Sequence, residues 1–273
     1  MSFTLDLRYQ ICMQPISLPV FNSVALELLQ LLAREDTEIS EVIDTINKDP
    51  ALAIQVLRMA NSSAYTGRYK SETIKESVNR LGVRQITNLT MAASQAALHA
   101  SEIPLVDEML QGLWQHSHAC AIASRALANR TGHTALADQA YLAGLLHDIG
   151  KLYLLKAMEQ ICLNDPPAAD FDQETVLEVF SDMHVEQGCR IMDYWEIPQI
   201  YYEIVAHHHD DEYTSDDPLL AIVRLVNFKS AEYGLNPYPQ LVRPHDTERE
   251  QQLLALEADD LLLLETVMKA VAA

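Results

Sequence analysis

Basic side chains are scarce in this sequence: 19 Lys and Arg residues stand against 39 Asp and Glu residues, for a formal charge of −20 at pH 7. No Lys- or Arg-rich segment interrupts the acidic background. A surface of this sign repels the phosphate backbone of DNA or RNA and the anionic headgroups of a membrane. We therefore expect no direct contact with nucleic acid and none with a membrane.

Long apolar runs are also missing, and none approaches the roughly 20 residues that a helix needs to cross a bilayer. The opening stretch MSFTLDLRYQ lacks the basic and apolar regions of a secretion signal. The cysteines have no CxxC spacing, which predicts free thiols in a reducing compartment rather than a zinc ribbon or a redox pair; they are Cys12, Cys120, Cys162 and Cys189. Together these absences predict a cytoplasmic protein.

Alternating runs of β-branched residues, which are typical of strands, are nearly absent. Apolar residues instead recur every three or four positions from about residue 20 onward, and this predicts an all-α protein. Asp49 before Pro50 predicts a helix start, Ser71 is a candidate cap, and Gly82 predicts a helix end. Longer helices are predicted near 106–130, 136–159, 174–195, 198–209 and 218–233.

Pro104 is the best candidate for a boundary, because proline disfavours helix at the residue before it. We expect an N-terminal helical part over 1–104, a second helical part over 105–235 and a C-terminal helical extension over 236–273. The extension is amphipathic, so it is expected to dock on the body of the protein or on a second copy in a homodimer.

The segment AGLLHDIGKLYLL, residues 143–155, places His147 and Asp148 in an almost continuous apolar run. Burying an imidazole beside a carboxylate costs several kcal/mol unless both find partners. The two side chains would point about 100° apart on a continuous helix, so a shared partner must lie between their directions. A metal ion or a hydrogen-bonded polar core would each meet that requirement.

Further histidines lie on other predicted helices. His116 shares an apolar face with Cys120 and is predicted to point inward, whereas His118 is predicted to point outward. His184 precedes Gly188 by one turn, and a glycine there lets a neighbouring helix or a ligand approach closely. The run HHHD adds histidines 207–209. Imidazoles and an aspartate form a set suited to Fe, Mn, Zn, Co or Ni.

These motifs resemble a known superfamily. WQHS at 114–117 and AGLLHDIGKL at 143–152 resemble the HD superfamily of metal-dependent phosphohydrolases, and HVEQG at 184–188 with HHHD at 207–210 extends the likeness to the HD-GYP branch. INKDPALAIQVLRMANSSAY at 46–65 and TIKESVNRLGVRQITNL at 73–89 resemble the HDOD family, the HD-related output domain of bacterial signalling proteins. The HDOD resemblance covers approximately residues 15–235.

The resemblance implies a compact N-terminal helical subdomain packed on an HD-type bundle, with a mono- or binuclear metal site. By position, the implied ligands are His116, His147, Asp148, His184, His208, His209 and Asn227. Asn227 stands where the HD pattern has its closing aspartate, and a neutral amide implies weaker or altered metal binding. The DGxGYP segment of HD-GYP enzymes is replaced by DEYTSDDP, which argues against cyclic di-GMP hydrolysis by that mechanism.

Two functions follow from the resemblance. The leading one is a signalling regulator that acts through a protein partner and carries a degenerate HD site, in which a bound metal or nucleotide could bias the helix packing. The other is a metal-dependent phosphohydrolase acting on a nucleotide or another phosphoester. In that enzyme Asp148 would bridge the metals and Lys151 would meet a phosphate oxygen; the alternative for Lys151 is an ordinary helix-end cation.

Overall fold

The computed structural model describes residues 3–15, 21–32, 34, 36–62, 65, 69–164, 171–210, 215–242 and 246–272. All regular secondary structure in these ranges is helical, so the predicted all-α fold is confirmed. None of the helices there combines the length and apolar character that crossing a bilayer would require.

The chain divides into two units, Met1–Val20 with His99–Ala273, and Phe21–Leu98. The first helix, α1 (Phe3–Met13), packs against helices of the larger unit, although the division expected from the sequence, with boundaries at 104 and 235, counts it with the N-terminal part. The association of α1 depends on contacts far along the chain, which local sequence patterns do not encode.

In its described residues, the smaller unit is a group of five helices around an aliphatic core. The core draws on every helix, with Leu28, Ile46, Val56, Val78 and Leu89 among its buried members. The helices are α2 (Ser23–Leu32), α3 (Ile39–Asn47), α4 (Pro50–Ala60), α5 (Ile74–Leu81) and α6 (Val83–Leu98).

Local capping residues set several ends of these helices. The Asp49 carboxylate accepts hydrogen bonds from the N–H groups of Ala51 and Leu52, as predicted for the start of α4. Gly82 ends α5 with a positive φ of 83°. The cap of α5 is Thr73 rather than Ser71, because the Thr73 hydroxyl accepts from the N–H of Glu76 at 3.1 Å.

The larger unit is built around a helix of 27 residues, α7 (Pro104–Arg130), which packs against several others. Its remaining helices include the C-terminal α14 (Ala258–Ala272), which packs on α7 and α12 (Pro218–Glu232). The helices after α6 are α7 (Pro104–Arg130), α8 (Ala137–Leu146), α9 (Ile149–Asn164), α10 (Gln173–Tyr194), α11 (Gln199–His207), α12 (Pro218–Glu232), α13 (Glu248–Leu253) and α14 (Ala258–Ala272).

Glycines allow close packing of the helices that carry the histidines of the predicted metal site. A Cβ on Gly150 of α9 would lie 1.8 Å from the carbonyl oxygen of His184 on α10. A Cβ on Gly144 of α8 would lie 2.7 Å from the carbonyl oxygen of Cys120 on α7. At Gly188 a Cβ would lie 2.7 Å from Val205 Cγ1 of α11, which agrees with the close approach predicted there.

Candidate metal centre

The carboxylate of Asp148 lies between two groups of imidazoles. Its Oδ2 is 3.4 Å from His147 Nε2 and 3.6 Å from His116 Nε2. Its Oδ1 is 3.5 Å from His208 Nε2 and 4.0 Å from His184 Nε2. The two oxygens of one carboxylate thus face separate pairs of ring nitrogens, contributed by α7, the α8–α9 turn, α10 and the end of α11.

Two sets of closely spaced donor atoms result from this arrangement. The first set consists of Asp148, His184, His208 and His209, and the second consists of His116, Cys120 and His147. Within each set the donor atoms lie within 4.8 Å of one another. The side chains of His147, Asp148 and His208 are 0% exposed, and that of His184 is 8% exposed. The donors therefore converge in a site that is largely closed to solvent, with His209 partly buried at its edge.

Backbone carbonyls orient three of these rings. The Nδ1–H of His147 donates to Gly144 O at 2.8 Å, that of His184 to Phe180 O at 2.5 Å, and that of His208 to Val205 O at 2.9 Å. A carbonyl oxygen can only accept, so these bonds place the proton of the neutral ring on Nδ1. The unprotonated Nε2 of each ring then lies 3.4–4.0 Å from an oxygen of Asp148 and is available to bind a metal.

Several buried polar atoms of the cluster have no hydrogen-bond partner within the described part of the chain. They are Asp148 Oδ1, His184 Nε2, His208 Nε2 and His209 Nε2. Orphaned acceptors in a closed interior cost free energy unless an ion, a proton or water satisfies them. Imidazole nitrogens with a carboxylate oxygen form a donor set that fits a divalent transition metal.

Lys151 lies inside the same cluster. Its Nζ donates to Asp148 Oδ2 at 2.7 Å, and the residue is 2% exposed. Burial acts to raise the pKa of Asp148, but Lys151 and then His147 outweigh it and hold that pKa well below its ordinary value. Asp148 is therefore an anion at neutral pH, partly balanced by the ammonium group of Lys151.

The predicted helix over 136–159 is interrupted at the site. It ends at Leu146 and the next helix begins at Ile149, with His147 and Asp148 in the turn between them. Successive residues of a continuous helix point about 100° apart. The interruption, together with the rings from neighbouring helices, allows both side chains to face one cluster, which helical periodicity alone could not predict.

Six of the seven ligands implied by the sequence lie together in the structure. They are His116, His147, Asp148, His184, His208 and His209. Asn227 is buried on α12, which packs against α7 and α8, and its Oδ1 has no hydrogen-bond partner among the described residues.

Other histidines stay outside the two donor sets. His118 stacks on Trp114 with ring centroids 5.0 Å apart and is partly buried, rather than pointing freely outward as predicted. His207 is half-exposed and pairs with Glu203 and Asp210 at the surface. Cys120 is a free thiol, as predicted, and it is buried within the His116–His147 set; its position one turn after His116 was the available signal for that location.

We predict that acid destabilises the chelator-treated protein. Burial lowers the pKa of both His116 and His184 from 6.5 to about 3. Since unfolding restores the ordinary value, the unfolded chain binds more protons between about pH 6.5 and pH 3, and stability falls as pH is lowered through that window. The depressed pKa of Asp148 acts in the same direction. Thermal melts followed by circular dichroism should show a midpoint that falls with pH, and an unchanged or rising midpoint would contradict the prediction.

The fold and the buried donor cluster define an all-helical protein with a candidate metal centre. The family model of the HDOD domain matches residues 18–211, and the chain belongs to the HDOD domain family. The HDOD resemblance seen in the sequence motifs is thereby confirmed. An uncharacterized protein of Treponema pallidum (strain Nichols) is 26% identical over 233 residues, which cover 83% of this chain and 45% of that protein. The chain thus spans less than half the length of this relative.

Solved structures share the fold. A proposed metal-dependent phosphohydrolase of Shewanella amazonensis SB2B matches with a TM-score of 0.72 at 21% identity, covering 99% of this chain and 98% of that one. An HDOD domain protein of unknown function from Geobacter sulfurreducens has a TM-score of 0.68 at 19% identity, with coverages of 98% and 97%. A proposed signal transduction protein of Marinobacter aquaeolei VT8 has a TM-score of 0.62 at 21% identity, with coverages of 98% and 65%. At these identities the likenesses establish the fold alone.

Proposed function

We propose that this protein is a signalling regulator of the HDOD family whose helical core holds a divalent transition metal in a closed site. In this proposal the protein works through contacts with a protein partner in a bacterial signalling pathway. The ligands would be drawn from the imidazoles around Asp148, with Asn227 as a neutral oxygen donor on α12. The metal would be Fe, Mn, Zn, Co or Ni, because imidazole and carboxylate donors suit all of these.

The closure of the donor cluster carries the proposal. A catalytic metal site keeps a coordination position open to water and substrate, whereas a structural site is closed by protein ligands. The side chains of His147, Asp148 and His208 are fully inaccessible to solvent. A phosphoester of nucleotide size would reach these atoms only after the surrounding helices had moved, so the geometry favours a fixed centre over a turnover site.

A closed centre of this kind would suit a regulator. The donors come from four separate segments of the larger unit, so an ion bound among them would bias the packing of those helices. A ligand shifts a conformational equilibrium only to the extent that it prefers one state. Ring nitrogens that lack a partner among the described residues supply that preference. A metal ion can bind several of them at once only when the segments that carry them converge.

A second function, a metal-dependent phosphohydrolase acting on a nucleotide or another phosphoester, is favoured by one specific observation. The two oxygens of Asp148 face different groups of imidazoles, an arrangement suited to a carboxylate that bridges two metal ions. Bound metal would supply Lewis-acid activation of the phosphoester. Lys151 would have to leave its 2.7 Å contact with Asp148 Oδ2 to meet a substrate phosphate.

Metal content is the first test of the proposal. Protein purified without a histidine tag or chelator should contain near-stoichiometric transition metal by elemental mass spectrometry, and the His147→Ala/Asp148→Ala variant should lose it. His207→Ala is a matched control, because this neighbouring histidine is half-exposed and outside the donor sets. Asp148→Asn keeps the side-chain shape and serves where the double variant fails to fold. Absence of metal from the wild-type protein would overturn the proposed centre.

Turnover separates the two functions. If the protein is a regulator, its metal-loaded form should hydrolyse none of a broad panel of phosphoesters and should still bind its signalling partner. Hydrolysis that His147→Ala abolishes and Asn227→Asp increases would instead establish the phosphohydrolase, because the added carboxylate helps hold a dication.

A further inference from the structure

The thiol of Cys120 lies beside the paired imidazoles of His116 and His147. Cys120 is one turn beyond His116 on α7 and is 1% exposed. Its Sγ is 3.8 Å from both ring nitrogens of His116, and it lies within 4.8 Å of the donor nitrogen of His147. The thiol therefore belongs to the donor set on the Oδ2 side of Asp148.

The two imidazole donors beside Cys120 have the spacing of ligands on one metal ion. With metal–ligand lengths of about 2.0–2.3 Å, ligand atoms at tetrahedral angles stand roughly 3.3–3.8 Å apart. The Nε2 atoms of His116 and His147 are 3.3 Å apart, and they lie 3.6 and 3.4 Å from Asp148 Oδ2. Cys120 Sγ adds a third donor, 3.8 Å from His116 Nε2 and within 4.8 Å of the donor nitrogen of His147, whereas Asp148 falls outside this three-donor set.

The charge at this position also calls for another anion. Asp148 is the single carboxylate in the two donor sets of the described residues, and its Oδ2 already accepts from Lys151 at 2.7 Å. A dication near His116 and His147 would meet two neutral rings and the ammonium group of Lys151. A thiolate would supply the missing negative charge, since a thiol that coordinates a metal is deprotonated.

Other roles for Cys120 fit the structure less well. Burial raises the pKa of this thiol, so without a metal it remains protonated and is a poor nucleophile or redox group. It is also free of any disulfide. Simple packing as a small apolar side chain is the remaining alternative, and it makes no demand on the imidazoles beside it.

We propose that Cys120 is a metal ligand which, with His116 and His147, forms a thiolate-containing site beside Asp148 that favours zinc or cobalt over manganese. On binding, the metal replaces the thiol proton, which leaves to solvent, and no redox change takes place. The preference follows from ligand softness, because thiolates select zinc over the harder manganese ion. This inference rests on the proposed metal centre and adds a ligand and a metal selectivity to it.

Cobalt substitution tests the inference. Chelator-stripped protein is loaded with Co(II), and its near-ultraviolet absorption is recorded for the wild type, Cys120→Ser and Cys162→Ser. Cys162 is the matched control, because it is buried on α9 and outside both donor sets. The wild type and Cys162→Ser should show a thiolate-to-cobalt charge-transfer band that Cys120→Ser lacks. The affinity of Cys120→Ser for zinc should fall by at least about tenfold, with a smaller loss for manganese.

The wild-type protein alone supplies a check that needs no folded variant. X-ray absorption at the zinc edge should show one sulfur neighbour at about 2.3 Å. Cobalt binding without a charge-transfer band, or a zinc shell without sulfur, would overturn the role of Cys120 and leave the proposed metal centre intact. Wild-type protein that binds neither cobalt nor zinc would overturn the role of Cys120, and protein that also fails to bind iron, manganese and nickel would overturn both proposals.

Discussion

Replacing Glu250 by glutamine should lower the free energy of unfolding by about 3–5 kcal/mol, because it removes a buried carboxylate that pairs with a buried guanidinium. Glu250 Oε1 accepts from Arg224 Nε at 2.9 Å, and the two side chains are 1% and 2% exposed. The same guanidinium donates from Nη1 to the carbonyl oxygen of His207 at 3.0 Å. Arg224 thereby joins α13 to the end of α11, directly before His208.

Urea denaturation of chelator-treated protein would measure this effect. Glu265→Gln is the control, since it breaks a solvent-exposed pair with Lys269 and should cost less than about 1 kcal/mol. The double variant Arg224→Met/Glu250→Leu should be more stable than Glu250→Gln, because it removes both charges rather than one. A double variant as unstable as the single one would show that the charge is not the source of the loss.

Replacing Gly150 by alanine should destabilise the protein by about 3 kcal/mol or more, at the upper end of the range for overpacking. The new methyl group would lie 1.8 Å from the backbone oxygen of His184 and 2.8 Å from the backbone nitrogen of Gly188. No side-chain rotation can relieve a clash with backbone atoms, so α9 and α10 would have to separate. His184 would then move away from Asp148, and metal content should fall together with stability.

Gly112→Ala is the matched control for this prediction. Gly112 also lies within a helix, but a Cβ there would meet the side chain of Pro237 at 3.2 Å rather than a backbone atom. Alanine also has a higher helix propensity than glycine, by about 1 kcal/mol. Thermal melts and metal analysis of the two variants should therefore diverge. A Gly150→Ala protein as stable and metal-rich as Gly112→Ala would contradict the close packing of α9 on α10.

The helices of this protein were predictable because their signals are local. Apolar residues at intervals of three and four predict each helix, and Asp49, Pro50 and Gly82 act through hydrogen bonds and backbone angles within a few residues. The Ser71 cap was wrong for an equally local reason. Thr73 lies three residues before Glu76, the spacing that a capping hydroxyl needs, whereas the N–H of Ser71 donates to Asn61.

The convergence of the histidines was predictable only through family resemblance. Periodicity places His116 on an inward face, but it does not say which other inward side chain it meets. The structure supplies the reason for the meeting: Gly144 and Gly150 let α7, α8, α9 and α10 approach to backbone contact, so that short side chains from separate helices reach Asp148.

By itself the sequence determined the all-α class, the membership of the HDOD family and the residues rich in metal-binding chemistry. Tertiary structure alone decided that the helix breaks at His147–Asp148, that Lys151 pairs with Asp148, and that Cys120 lies beside the two imidazoles. The physical reason is that caps and periodicity act over one or two turns. Burial and charge pairing depend instead on side chains that are brought together from distant parts of the chain.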